Sequence, residues 1–128
     1  MVSKQELIEK EMEEFCRNLG ILSARDTDKT VVRVFRVLVQ ERRFGDKNMG
    51  STELSNKTQL NRITVIHHLK RLNDVGVVEK QNHKYALRGN DLMGLMQEFE
   101  RERLAMLARM RKMAVEFEKE FDRGLMEF

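Results

Sequence analysis

The sequence has no proline, no tryptophan, one tyrosine and a single cysteine in 128 residues. Cys16 alone excludes an internal disulfide and any cysteine-rich zinc site. No stretch approaches the roughly 18 uninterrupted apolar residues that a membrane helix needs. The first residues run straight into alternating charge, with no apolar segment of the kind that directs export. The expectation is therefore a soluble, cytoplasmic protein without membrane contact. Also missing are a glycine-rich phosphate loop, a metal-binding triad and any Ser/His/Asp or Cys/His arrangement at supporting spacing, so an enzyme is not expected. Internal repeats and low-complexity tracts are lacking as well.

What remains is 41% apolar and 35% charged residues, with nine methionines. That is enough for one small, mainly helical domain with an aliphatic core and a heavily charged surface. The net charge is only +3, but it is segregated. Residues 1–28 balance to −3, residues 29–90 to +8 and residues 91–128 to −2. A basic middle between acidic ends suits a centre that meets phosphate. Chance segregation on solvated faces is the plain alternative.

Local signals divide the chain. Ser3 and Glu6 form a capping box for a helix over 3–19, with Leu7, Ile8, Met12, Phe15 and Leu19 on one face and Gly20 as its stop. A linker runs from Ser23 to Asp28. A second helix, about 28–43, is capped by Asp28, carries Val31, Val34, Phe35, Leu38 and Val39 on its apolar face, and ends in Arg42 and Arg43. After a loop from Phe44 to Gly50, Thr52 to Thr58 reads as a short helix with Leu54 inward. A turn at Gln59-Leu60 follows, and Asn61 caps a further helix running to Asp74. Val65, Leu69 and Leu72 make one buried stripe along it. Gly76 stops that helix, and Val77–Lys80 and Lys84–Leu87 read as two short strands around Gln81-Asn82-His83. Helix, turn, helix and hairpin is the order of a winged helix.

From Asn90 to near the end, one long helix is expected. Leu92, Met96, Phe99, Met106, Met110, Met113 and Phe117 follow a 4-3 spacing, with Arg103 in the skipped position, and Phe121 is counted with the same interface. Such a helix spans roughly 50 Å at 1.5 Å per residue, more than a domain of this size covers alone. Its apolar stripe needs a partner, and the expected one is a second copy of the chain. The expected organisation is a single domain, 1–128: an N-terminal helix (3–19), a winged helix-turn-helix core (28–88) and a C-terminal dimerisation helix (90–128).

The stretch from Thr52 to Lys80 is similar to the core of ArsR-type and MarR-type transcriptional regulators. The most specific pieces are Thr64-Val65, His68-Leu69-Lys70-Arg71-Leu72 and Gly76-Val77-Val78, which resemble a recognition helix and first wing strand. The resemblance covers about residues 29–88; the ends match by layout only. It implies a dimeric, sequence-specific regulator of transcription that binds double-stranded DNA at an inverted repeat, as a repressor that occludes a promoter. The Cys-x-Cys pair of metal-sensing ArsR members has no counterpart in Thr52–Thr58, nor do their last-helix histidines in 91–128. No metal or other cofactor is expected, and a small-molecule effector is left unassigned.

A recognition helix fits the major groove, where base edges carry a distinguishing hydrogen-bond pattern. Arg62 could reach a guanine or a phosphate, Thr64 and His67 base edges, and Ile63 or Ile66 a thymine methyl. Lys70 and Arg71 are better placed for phosphates. Backbone N–H groups at Thr52 and Asn61 offer further phosphate contacts, and Lys80, His83 and Lys84 would set the wing along the backbone or the minor groove. His68, beside the buried stripe, reads as a packed residue, and Cys16 as an inert one. Two other functions stay open at this point: a winged helix used for protein contacts, and an architectural DNA binder with little sequence preference.

Overall fold

The computed structural model describes residues 1–23, 25, 28–45 and 48–124. Parts of the expected linker (24, 26, 27), of the Phe44–Gly50 loop (46, 47) and of the last helix (125–128) lie outside the described residues. In chain order the elements are α1 (Lys4–Leu19), α2 (Thr30–Phe44), α3 (Ser51–Thr58), α4 (Arg62–Val75), β1 (Val78–Gln81), β2 (Lys84–Leu87) and α5 (Leu92–Asp122). The chain is mainly helical with one antiparallel hairpin, the winged helix-turn-helix order anticipated above.

Helix ends lie where the local chemistry puts them. Ser3 accepts a hydrogen bond from the Glu6 amide at 3.1 Å, and Gly20 closes α1 in the left-handed conformation, φ 87°. The N-cap of α2 is Lys29, not Asp28 as expected, and it has no side-chain cap; the Asp28 carboxylate, one residue before it, accepts from the Thr30 amide at 3.0 Å. Asn61 accepts from the Ile63 amide at 2.8 Å, and Gly76 ends α4 with φ 88°. Each cap satisfies an amide or carbonyl that the helix itself leaves open.

Boundaries shift by a residue or two, α2 to Thr30–Phe44 and the end of α4 to Val75 among them. α3 begins at Ser51, one residue early, because Gly50 takes the extended N-cap geometry. β1 runs one residue later than expected, which leaves only Asn82 and His83 in the turn. Both have positive φ, 52° and 62°, as a two-residue turn matched to the twist of the strands requires. α5 starts at Leu92 rather than Asn90.

Two compact units are distinguished, Met1–Leu95 and the residues from Met96 onward. In the first, α2 packs on α3, α4 and β2, α4 packs on α3 and β1, and α1 lies against α2. The core is Val31, Val34, Phe35 and Leu38 from α2, Leu54 from α3, Val65, Leu69 and Leu72 from α4, and Val77, Val78, Ala86 and Leu87 at the hairpin. Each large side chain so buried contributes about 1.5–3 kcal/mol. Phe15 stacks on Phe35 with centroids 6.1 Å apart. Ile21 and Leu22, just past α1, are buried too, as is Cys16. Leu7 and Ile8, assigned above to the apolar face of α1, are half exposed, because that face is covered only toward its C-terminal end.

Met49 adds a short third strand-like segment. It exchanges two backbone hydrogen bonds with Tyr85, at 2.8 and 2.7 Å, and so ties the residues leading into α3 to β2. At the other side of the hairpin, the Arg42 guanidinium donates to the Gly89 carbonyl at 2.8 Å. Gly89 has φ +86°, and a Cβ there would come within 2.8 Å of the Leu95 amide nitrogen. Only glycine allows the chain to turn this closely over the first turn of α5.

In the second unit α5 exposes most of its apolar positions. Met106, Met110, Met113, Phe117 and Phe121 range from 41 to 54% accessible. Of the other residues expected at a dimer interface, Leu92 and Met96 are half-buried and Phe99 is buried.

Candidate nucleic-acid interface

The turn between α3 and α4 is held by side chains acting on the backbone. Gln59 takes the left-handed conformation, φ 60°. The buried Thr58 hydroxyl donates to the Leu54 carbonyl at 2.6 Å, and the Arg33 guanidinium donates to the Thr58 carbonyl at 3.1 Å. Ser55 donates to the Leu60 carbonyl. Buried and part-buried backbone carbonyls are thereby paired, and these bonds tie the turn to α2 and α3.

Burial then sorts the α4 side chains by helical geometry. Val65, Leu69 and Leu72 are fully inaccessible. Ile63, Ile66, His67 and Lys70 follow one another at i, i+3, i+4 and i+7, and all four are exposed, so they form a single outer face. Ile63 is 66% accessible. Leaving a large apolar side chain this open on an ordered helix costs solvation and gains no packing. Thr64, His68 and Arg71 lie on a half-buried flank. His68 on that flank meets the Thr30 hydroxyl through Nε2 at 2.7 Å, which agrees with a packed role.

The opposite flank faces the wing. Arg62 is exposed, and its Nε donates to the Ser51 hydroxyl at 3.1 Å, joining the first turns of α3 and α4. Lys80 stands across the hairpin from Tyr85, its ammonium 5.7 Å from the ring centroid, within range of a cation–π attraction. A cleft of about 290 Å³ between these parts is lined by Ser51, Arg62, Ile66, Lys80, His83 and Tyr85. Lys84 and Asn61 are exposed at the rim of the hairpin and the start of α4. Thr52 is exposed at the second position of α3, not the first as its expected boundary implied.

Ser51 and Tyr85 are the residues that sequence reasoning missed here. Nothing local marks Ser51, since its role comes from Arg62 eleven positions away. Tyr85 was legible only through the hairpin register. With a three-residue loop Lys80 would face Lys84, a like-charge pair that opposed strands disfavour.

Among the described residues no cluster of three His, Cys, Asp or Glu side chains is placed to hold a metal ion. No helix among them is long and apolar enough to cross a membrane. The Cys16 thiol is inaccessible, and its pKa is pushed up to about 12, by burial first and by the Glu13 charge second. A thiol kept protonated is a poor nucleophile and a poor metal ligand.

Residues 29–80 match the family described as bacterial regulatory protein, arsR family. No curated protein matches the chain. Among solved structures, a protein from the thermoacidophilic archaeon Sulfolobus tokodaii is 22% identical, with a TM-score of 0.53 over 84% of this chain and 97% of that one. Ligand-free NadR is 16% identical over 94% of this chain and 99% of that one, with a TM-score of 0.40. The first likeness concerns the fold. The family match spans α2 through most of β1 and so takes in the whole helix-turn-helix and its outer face. Over residues 29–80, then, the chain matches the ArsR family of bacterial regulatory proteins and folds there as a helix-turn-helix within a winged-helix fold.

Proposed function

We propose that this protein is a homodimeric, sequence-specific repressor that reads an inverted repeat in double-stranded DNA through the outer face of α4. The observation that carries this reading is the single exposed face of Ile63, Ile66, His67 and Lys70 on a helix whose other side is locked into the core. Two isoleucines offer apolar surface to thymine methyls, His67 a hydrogen-bonding group to a base edge, and Lys70 a charge to a phosphate one turn on. Thr64 and Arg71 flank this face, and the amides at Thr52 and Asn61 stand at the two helix starts, where phosphate oxygens are well received. Lys80, His83 and Lys84 place the wing on the sugar-phosphate backbone.

A second copy enters through α5. Leu92, Met96, Phe99, Met106, Met110, Met113, Phe117 and Phe121 would supply the seam, and a two-fold axis would present two α4 helices to major grooves about 34 Å apart. Occupying such a site within a promoter blocks access to it, which is why repression is favoured.

Selection from a random duplex library, followed by gel-shift competition with unrelated duplex, tests the proposal. A palindromic motif that resists competition is the expected result. Binding without a recovered motif would indicate an architectural DNA binder. A folded protein that retains no duplex would indicate a winged helix devoted to protein contacts.

A further inference from the structure

We infer that the cleft between the first turn of α4 and the wing receives one phosphodiester of the duplex, with Arg62 as its anchor and not as a reader of guanine. This rests on the DNA-binding reading above and divides its contact residues more finely.

Three parts of the fold meet at the cleft: Ser51 from the start of α3, Arg62 and Ile66 from α4, and Lys80, His83 and Tyr85 from the wing. None of the six is acidic. Two are permanent cations, and gathering them around one cleft costs repulsion that a bound anion relieves. The frame is rigid. The Met49–Tyr85 hydrogen bonds fix β2 to the residues that lead into Ser51, and the Tyr85 ring seats the Lys80 ammonium.

Arg62 is the informative residue. To read guanine, its guanidinium would extend from the outer face of α4 toward a base edge. Its Nε is instead held by Ser51, which draws the side chain sideways toward α3 and the wing. That leaves the two terminal nitrogens for an oxygen arriving at the flank. A helix seated in a major groove has a sugar-phosphate strand along each flank, so a phosphate is the group that arrives there. Base reading is then left to Ile63, Ile66 and His67 on the outer face.

The test compares wild type with Arg62→Ala, Arg62→Lys and Lys80→Ala. Each is put through selection from a random duplex library. The selected duplex is then titrated across a salt series and scanned with single methylphosphonate replacements. Arg62→Ala should recover the wild-type motif, bind every duplex about tenfold more weakly, and lower the salt slope by about 0.9 per subunit. Arg62→Lys should restore most of the affinity, because a phosphate accepts a lysine where a bidentate guanine contact does not. One neutralised phosphate should weaken wild type most, Lys80→Ala less and Arg62→Ala least. Arg62→Ala that relaxes a single G·C position at unchanged salt slope, without rescue by lysine, would overturn the inference and leave DNA binding intact. So would wild-type affinity in Arg62→Ala. A folded wild type that binds no duplex would overturn both; thermal melting of all four proteins establishes folding.

Discussion

Thr30, in the first turn of α2, and His68, midway along α4, share a hydrogen bond of 2.7 Å across 38 positions of sequence. The contact is part-buried and links α2 to α4. Thr30→Val keeps the shape and removes the hydroxyl. It should lower stability by about 1 kcal/mol, read as a lower urea midpoint at unchanged slope. The selected DNA motif should stay the same, since His68 lies on the inward flank. An unchanged midpoint would mean that the bond contributes nothing to stability.

His67 and Lys70 occupy the same outer face and should nevertheless fail differently. His67→Ala is expected to relax preference at one base position, costing about 1–3 kcal/mol of discrimination there. Lys70→Ala should weaken all duplexes alike and reduce the salt slope by about 0.9 per subunit. Side-by-side selections and salt titrations decide this. Identical profiles from the two variants would refute the placement of α4 in the groove.

Met106 and Met110 are 41% and 54% accessible on α5. Aspartate at both positions would put two unpaired charges in any seam formed by this face, a cost of several kcal/mol. If α5 forms the proposed seam, sedimentation velocity should find wild type dimeric and the double variant monomeric, and operator affinity should drop with the loss of the second half-site. A dimer that survives the double substitution would move the main interface elsewhere.

Cys16 yields a prediction about pH. Its folded pKa is raised from 9.0 to about 12, so the folded chain holds a proton that the unfolded chain releases. The resulting stability is complete below pH 9 and is lost as pH rises toward 12. Native protein at pH 8 should resist iodoacetamide and react once urea unfolds it. Cys16→Ala should remove this increment from the alkaline decline in stability. Rapid alkylation of native protein would show that the thiol is open.

Helix ends were the most legible part of the structure, because caps act over three or four residues. Ser3, Gly20, Asn61 and Gly76 all perform as their residue types suggest, although only the Ser3 half of the expected capping box with Glu6 is made. The α4 stripe was equally legible, since its periodicity survives whatever packs against it. Non-local pairings were not. The Met49–Tyr85 bridge, the burial of Ile21 and Leu22, and the hold of Ser51 on Arg62 depend on residues brought together only by the completed fold. A one-residue error at the wing hid Tyr85 opposite Lys80, because hairpin register follows from turn length. At the candidate interface, residue types and spacing revealed which side chains lie outward. They did not reveal how the flanking ones are aimed.

The Asn82-His83 turn closes the hairpin after strands of four residues each. At about 3.3 Å per residue such a ribbon is roughly 13 Å long. A blade this stubby grips only the nearest stretch of a polymer lying beside it. Protection of the duplex from nuclease attack should therefore end abruptly past each half-site, and lengthening the blade by one pair of residues on each strand would widen the protected zone outward from both ends.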